Sequence, residues 1–478
     1  MVYRAIVFVI AVAAGAIAPA GAADDLRLPD LGSAAGDTLS VAEEKRLGRE
    51  LIREVRRRVP IVDDPELRDY VQDLGERLVS RANTPDMAYE FFVVDSPAIN
   101  AFAMPGGYIG INRGLIEETR SESELAAVMA HEIAHVTQRH IARRMANSEG
   151  TGLQTLGIIL AAILMGTQDA QMGSAAAIGG MAGAIQQQLN YSRAHEREAD
   201  NMGIRILADA GLDPEGMPRF FERLARATRH QQRPPEFLSS HPVTESRIAE
   251  SRARARELGE TETQESTTFG LMRAKLLVAR ADNPETAVRH FSADEGAFGL
   301  DETAKRFGLA LARLEAGDPD RAEQGLRALL EEQGEHAAFY IALARVHQER
   351  GNDEAALETL QLGLDLYPGD YALSIHAARA LLRLDRPTDA RALVREQIRR
   401  YGGDSALHRL HAEAATEAGL DYEGMLALGE HYYHKGDLRQ ALEQLDRVAD
   451  ASQADVQQRS RAVSRRQAIR EELERREQ

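Results

Sequence analysis

The sequence predicts a mostly α protein in two parts: an α+β domain built on a small β-sheet, followed by an all-α solenoid. Three observations carry this. Apolar residues recur at helical spacing behind capping boxes through much of the N-terminal half. Two β-like runs stand between Tyr89 and Ile111. Gly317, Gly351, Asp385 and Gly419 fall 34 residues apart in the C-terminal half. The length agrees, since 478 residues exceed a single core and suggest about two to three domains.

The elements follow in order. Arg4, the apolar run 5–18 and the small-x-small sequence Ala20-Gly21-Ala22 have the form of an export leader cut after Ala22. Residues 1–22 are therefore expected to be a signal peptide, and the expected location is a bacterial periplasm. Residues 24–40 read as irregular. Ser40-x-x-Glu43 is a capping box before a helix with Leu47, Leu51 and Val55 in step. Pro65 opens a second helix with Leu67, Val71, Leu74 and Leu78. Tyr89–Val94 and Asn100–Ile111, the latter broken by Pro105-Gly106-Gly107, predict two or three strands. Ser121-x-x-Glu124 opens a long helix carrying Leu125, Val128, Met129, Ile133 and Val136, expected to end near 147–150.

Residues 153–190 are apolar, then rich in Ala and Gly, and neither half reaches the roughly 20 apolar residues of a membrane span. They read as a helical hairpin packed through small residues, or as a lid or membrane-facing flap, which would allow peripheral membrane contact. Helices are expected over Arg193–Asp209, on to about Arg229, and over Thr244–Leu258, with a polar loop at 231–242. A polar stretch at 260–268 reads as a linker, dividing a first domain, 23–265, from a second, 266–478.

The second domain repeats. Five residues after Gly317, Gly351 and Asp385 stand Ala322, Ala356 and Ala390, and seventeen residues after them stand Gly334, Pro368 and Gly402. A 34-residue period with a small residue at each helix–helix contact is the tetratricopeptide pattern. Gly424 departs from it by standing at the Ala place of the fourth unit. Residues 457–478 read as a charged, solvated capping helix.

Composition excludes several functions. Lys and Arg number 58 against 75 Asp and Glu, a net charge of −17 that argues against nucleic-acid binding. Aromatic residues are 5% and Trp is absent, so stacking platforms for single strands or sugars are not expected. Cys is absent, which rules out thiol nucleophiles, Cys-ligated metals and disulfides. Any metal must be held by His, Asp and Glu.

His131-Glu132-Ile133-Ala134-His135 carries the chemistry. On a helix, residues i and i+4 share one face, so His131 and His135 can bind one zinc while Glu132 takes a proton from its water. A catalytic zinc needs a third ligand and an open position. Ser192 to Asp200 offers His195, Glu196 and Glu198. Glu198 faces about 160° from Asp200 by helical angle and is expected in solvent.

HExxH followed on a later helix by Glu-x-x-Ala-Asp resembles peptidase family M48. The resemblance implies Glu196 as the third zinc ligand, with Asp200 holding a ligand histidine from behind. His241-Pro242-x-x-x-x-Arg247 resembles the motif found in this part of such proteins. His241 and Arg247 would then stand near the developing oxyanion. Alternatively, His241 takes the open zinc position and holds the enzyme off. Asn100 to Gly107 resembles the family's edge strand, which would pair with an extended substrate. His140, counted around the same helix, points about 140° from His135 and reads as structural or surface.

Leader, M48-like core and repeats together resemble the exported, repeat-bearing members of the family. That resemblance implies a periplasmic zinc endopeptidase in outer-membrane protein quality control. It would promote β-barrel assembly, in the manner of a chaperone, and degrade unfolded or misassembled clients. The repeats would dock the assembly machinery or the client. The alternative is a non-proteolytic, repeat-based scaffold with a structural zinc.

Overall fold

The structure, a computed structural model, describes residues 39–82, 84, 87–146, 160, 193–228, 236–259, 266–293 and 299–477. The leader, most of the irregular stretch after it and all but residue 160 of the 153–190 segment lie outside the described residues. Among the described residues, no helix is long and apolar enough to cross a membrane.

Two helices come first, α1 (Val41–Arg58) and α2 (Pro65–Val79). Ser40 and Glu43 close the expected capping box: the Ser40 hydroxyl accepts from the Glu43 amide, and the Glu43 carboxylate accepts from the Ser40 amide at 2.8 Å. Asp64 caps α2, and Pro65 sits where a missing N–H is harmless. The sheet has the order β1 (Glu90–Val94), β3 (Tyr108–Asn112), β2 (Ala101–Met104), with β1 parallel and β2 antiparallel to the central β3. Gly106 and Gly107 make the β2–β3 reversal at φ 80° and 90°, a region that glycine enters freely. Strand β2 is therefore an edge.

After α3 (Arg113–Glu118) comes α4 (Glu122–Thr137). Ser121 caps it, but the Glu124 carboxylate takes the Arg120 amide at 2.7 Å and Arg223 at 2.9 Å instead of closing a second box. Residues Ser123 to Val136 of α4 are all buried, which fits its all-round apolar sequence. The expected single helix to 147–150 does not form. It stops at Thr137, Arg139 takes φ 51°, and the chain restarts as α5 (His140–Ala146). Two further helices pack on α4, α6 (Arg193–Asp209) and α7 (Gly216–Thr228), and α9 (Glu245–Leu258) packs on those two. A short α8 (Glu236–Ser240) stands where a loop was expected, anchored by the fully buried Phe237.

Helices α10 (Thr267–Ala279) and α11 (Pro284–Ser292) lead into antiparallel pairs: α12 (Glu302–Glu315) with α13 (Pro319–Gln333), α14 (Ala337–Glu349) with α15 (Asp353–Leu366), α16 (Tyr371–Arg383) with α17 (Pro387–Tyr401), and α18 (Ser405–Glu417) with α19 (Asp421–Lys435). The chain closes with α20 (Leu438–Ala449) and α21 (Val456–Glu477). The 34-residue period has a backbone cause. Gly317, Gly351, Asp385 and Gly419 all take positive φ just past the first helix of each pair. The amide after each returns to a carbonyl five residues back, for example Asp318 to Arg313 at 2.9 Å, which ends the helix and turns the chain. The departure at Gly424 is also steric. A Cβ there would meet Thr416 Oγ1 at 2.4 Å, so α18 and α19 approach too closely even for Ala.

The solenoid packs back on the first domain. Lys275 of α10 pairs with Asp64, at 2.7 Å, and with Glu66. Arg68 of α2 reaches Asp404 at 2.6 Å and lies over the Tyr371 ring. Arg53 of α1 pairs with Glu472, and Arg56 donates to the His434 carbonyl at 2.8 Å. A single apolar cluster runs from Leu67 and Met129 through Leu271, Met272 and Leu276 to Val346, so packing is continuous across residue 266. Between α2 and the repeats lies a cleft of about 400 Å³, whose lining includes Asp69, Asp73, Glu122 and Asp370.

Candidate active site

Helix α4 supplies His131, Glu132 and His135, and α6 supplies Glu196 and Asp200. The two helices meet closely at Gly203, where a Cβ would lie 3.1 Å from the His131 amide nitrogen. His241 follows α8, and its ring stacks on Phe237 at 5.0 Å. Arg247 stands in the first turn of α9, which Thr244 caps.

These placements bring four donor atoms to one centre. His131, His135, Glu196 and His241 each offer one atom, all within 4.8 Å of one another. Nε2 of His135 is 3.0 Å from Nε2 of His131 and 3.5 Å from Oε1 of Glu196. Nδ1 of His241 is 3.3 Å from Nε2 of His131 and 3.0 Å from Glu196 Oε1. For metal–ligand bonds of about 2.0–2.1 Å, the edge of a tetrahedron is about 3.3 Å. Three nitrogens and a carboxylate at such spacings fit a cation far better than a mutual hydrogen-bond set, because few protons are available among them. All four residues are at most 2% exposed.

Electrostatics agree. Burial alone would raise the Glu196 carboxyl, but His241, His131 and Arg247 hold it down at about 2. Burial, then the neighbouring His131 and His241, keep His135 well below the usual imidazole range, hence neutral and able to donate a lone pair. Asp200 is held down against its burial by His131 and Arg247. His241 is raised: burial opposes its charge, but Glu196 and Glu132 outweigh that. Burial raises Glu132. Its Oε1 has no hydrogen-bond partner among the described residues and lies 3.5 Å from His241 Nε2. The backbone of Ala103 in β2 lies near enough to the same carboxylate to favour its charged form, against the larger effect of burial, which places the edge strand beside this residue.

Asp200 Oδ1 lies 3.0 Å from His131 Nδ1, on the side of the ring away from the four-donor centre. Arg247 forks onto Asp200 with two contacts of 2.7 Å and reaches Glu196 at 2.7 Å. Its guanidinium is thus engaged by the two carboxylates rather than held open toward the centre. His195 lies outside the cluster.

His140 and Glu198 depart from the sequence reading. His140 is fully buried, with Nδ1 2.8 Å from Nδ1 of His135. Counting 100° per residue fails because the helix breaks at Arg139. Glu198 is not simply in solvent: its carboxylate meets His140 Nε2 and Arg143, each at 3.1 Å. A signal was available in the sequence, since His140 follows Gln138-Arg139, where the apolar pattern of α4 lapses.

Residues 65–255 match the peptidase family M48, and residues 313–367 match a tetratricopeptide repeat family. The chain is 35% identical over 411 residues to a putative beta-barrel assembly-enhancing protease of Vibrio cholerae, covering 85% of this chain and 84% of that one. It is 34% identical over 466 residues to the beta-barrel assembly-enhancing protease of Escherichia coli, covering 96% and 95%. A mitochondrial metalloendopeptidase OMA1 of Schizosaccharomyces pombe is 28% identical over 215 residues, 44% of this chain and 60% of its own.

Proposed function

The chain belongs to peptidase family M48, with the β-barrel assembly-enhancing proteases, and on that premise we propose that it is a periplasmic zinc endopeptidase acting on outer-membrane β-barrel proteins. The observation that carries the reading is the convergence of His131, His135, Glu196 and His241 beside the buried carboxylate of Glu132. When bound, zinc supplies Lewis acidity, acidifying water and polarising a carbonyl.

The chain's own residues do the rest. His131, His135 and Glu196 would hold the ion. Asp200 orients His131 from behind, and Arg247 fixes the Asp200 and Glu196 carboxylates. Glu132, with one oxygen unpartnered, takes the proton of the attacking water and returns it to the leaving amine. The outer edge of β2, which pairs with no strand among the described residues, pairs with the extended substrate backbone. The repeats engage barrel clients or the machinery that assembles them, so that stalled clients are cut and others proceed to assembly.

His241 is best read as the fourth ligand of a closed resting site. Its Nδ1 lies 3.3 Å from His131 Nε2 and 3.0 Å from Glu196 Oε1, so it would offer the ion a fourth donor in the place a substrate needs. It must swing away before substrate enters.

The test is metal analysis and casein hydrolysis of the purified mature protein beside Glu196→Ala, Glu132→Gln and His241→Ala. One zinc per chain is expected in the parent and loss of zinc in Glu196→Ala. Glu132→Gln should keep its zinc and lose hydrolysis by about 10²–10⁴-fold. His241→Ala should hydrolyse faster than the parent. Zinc-free parent protein would overturn the reading, and slower hydrolysis by His241→Ala would assign that residue to the reaction instead.

A further inference from the structure

We propose that His140 and Glu198 are positioning residues that fix which nitrogen of His135 carries its proton, and thereby set the metal affinity of the site. This rests on the reading of His135 as a metal ligand.

The break at Arg139 turns His140 back onto His135, so that two chemically identical atoms, Nδ1 of each ring, stand 2.8 Å apart. One must donate and the other accept. Nε2 of His135 points at the four-donor centre, 3.0 Å from His131 Nε2. To offer a lone pair there, a neutral His135 must carry its proton on Nδ1 and donate it to His140. His140 Nδ1 is then the acceptor, and its own proton sits on Nε2, 3.1 Å from Glu198 Oε2. An ionised carboxylate can only accept, so Glu198 dictates the direction of the whole chain. The opposite order would place a proton on Nε2 of His135, where the ion must sit.

The supports of this chain are themselves fixed. Arg143 donates to Glu198 at 3.1 Å, and the His195 ring stacks on His140 at 4.4 Å with 17° between planes. The two ligand histidines are therefore backed in parallel ways. His131 has a carboxylate, Asp200, directly behind it, whereas His135 reaches Glu198 through a second imidazole. Such outer partners typically change metal affinity by roughly 10- to 100-fold.

The experiment measures zinc dissociation constants of the full chain against a competing chelator, with melting of the metal-free proteins as a check on folding. His140→Phe keeps the ring volume and removes the acceptor, and should bind zinc roughly 10- to 100-fold more weakly. His140→Gln can accept from His135 through its carbonyl and donate to Glu198 through its amide. It should recover binding to within about threefold of the parent. Binding by His140→Phe equal to the parent, or Gln no better than Phe, would overturn the proposal. If His140→Phe does not fold, nitrogen-15 NMR of the zinc-loaded parent decides. The proposal requires a proton on Nε2 of His140 and none on its Nδ1, and the reverse pattern refutes it. His135→Ala separates the two readings. If it keeps full zinc affinity, the metal-site assignment fails. If it loses zinc while His140→Phe does not, only the present inference fails.

Discussion

Replacing Arg247 with Met deletes one guanidinium and keeps the aliphatic stem. The parent side chain makes two contacts of 2.7 Å to Asp200, one of 2.7 Å to Glu196 and one of 2.9 Å to the Pro242 carbonyl. Arg247, Asp200 and Glu196 are 4%, 4% and 2% exposed, so water cannot take over these contacts without moving the helices apart. Hydrogen bonds to charged groups contribute about 1.5–3 kcal/mol each, but such bonds within one network do not add. The governing figure is the cost of removing one partner from a buried ion pair, about 3–5 kcal/mol, because two facing carboxylates lose their shared cation. For a cooperative unit of about 300 residues, at about 2.1 cal/mol/K per residue, this corresponds to a fall in Tm of roughly 5–8 °C. The assay is calorimetry on metal-stripped protein, which separates the effect from metal binding. Arg226→Met is the control: its pair with Glu222 is i,i+4 with the arginine 72% exposed, and its loss should cost under about 1 kcal/mol. If Arg247→Met melts within about 2 °C of the parent, the fork onto Asp200 and Glu196 does not hold the site together and the reasoning fails.

Three further outcomes follow from packing and charge. Gly203→Val should weaken metal binding and lower Tm, since even a Cβ would stand 3.1 Å from the His131 amide, and overpacking costs about 1–3 kcal/mol; unchanged metal affinity would show that α4 and α6 can part freely. Burial, with Asp73 and Asp370 nearby, raises Asp69 to about 7, against about 3.9 when unfolded. The folded state therefore holds an extra proton between these values, and this group's contribution to stability declines as pH rises from about 4 to about 7. Asp69→Asn should accordingly raise Tm at pH 8 and leave it unchanged near pH 4, as thermal melts across that range would show; a gain that is largest at low pH would reverse the sign and refute this. Ending the chain at residue 266 strips Leu271, Met272 and Leu276 from the continuous core and Lys275 from Asp64 and Glu66, whereas ending it at 349 does not. The first product should fail to give a cooperative melt and the second should give one.

The readable parts of the fold were those fixed by local chemistry. Ser40-x-x-Glu43, Pro65 and the glycines of the β2–β3 turn each satisfy or constrain their own neighbourhood, so they can be read without the rest of the chain. The same holds for His131 and His135, which one helix brings together. Contacts across sequence distance were not legible. The turn at Arg139 is taken by a residue that rarely adopts positive φ; the lapse in the apolar pattern at Gln138-Arg139 marks a break there, but not the direction in which it turns the chain. Arg247 shows the same limit. Its charge was evident, but its partners lie 47 and 51 residues away on α6. The linker reading at 260–268 rests on a polar stretch, yet polarity there says nothing about the apolar α10 beyond it merging with the core of the first domain.

Arg139 gives the order of assembly a chemical marker. A non-glycine residue at φ 51° is held against a local cost of about 1–2 kcal/mol. The hold comes from its own guanidinium, which bonds Glu44 at 3.1 Å and the Leu39 carbonyl at 2.7 Å, 95 and 100 residues earlier in the chain. The turn that seats His140 behind His135 is thus completed only when α1 has docked. A chain still lacking that docking can form α4, with both histidines in place, and yet leave one ring free to choose its proton. Metal uptake during refolding should therefore lag helix formation and keep time with the arrival of α1, so the metal serves as a clock for the closing of the domain.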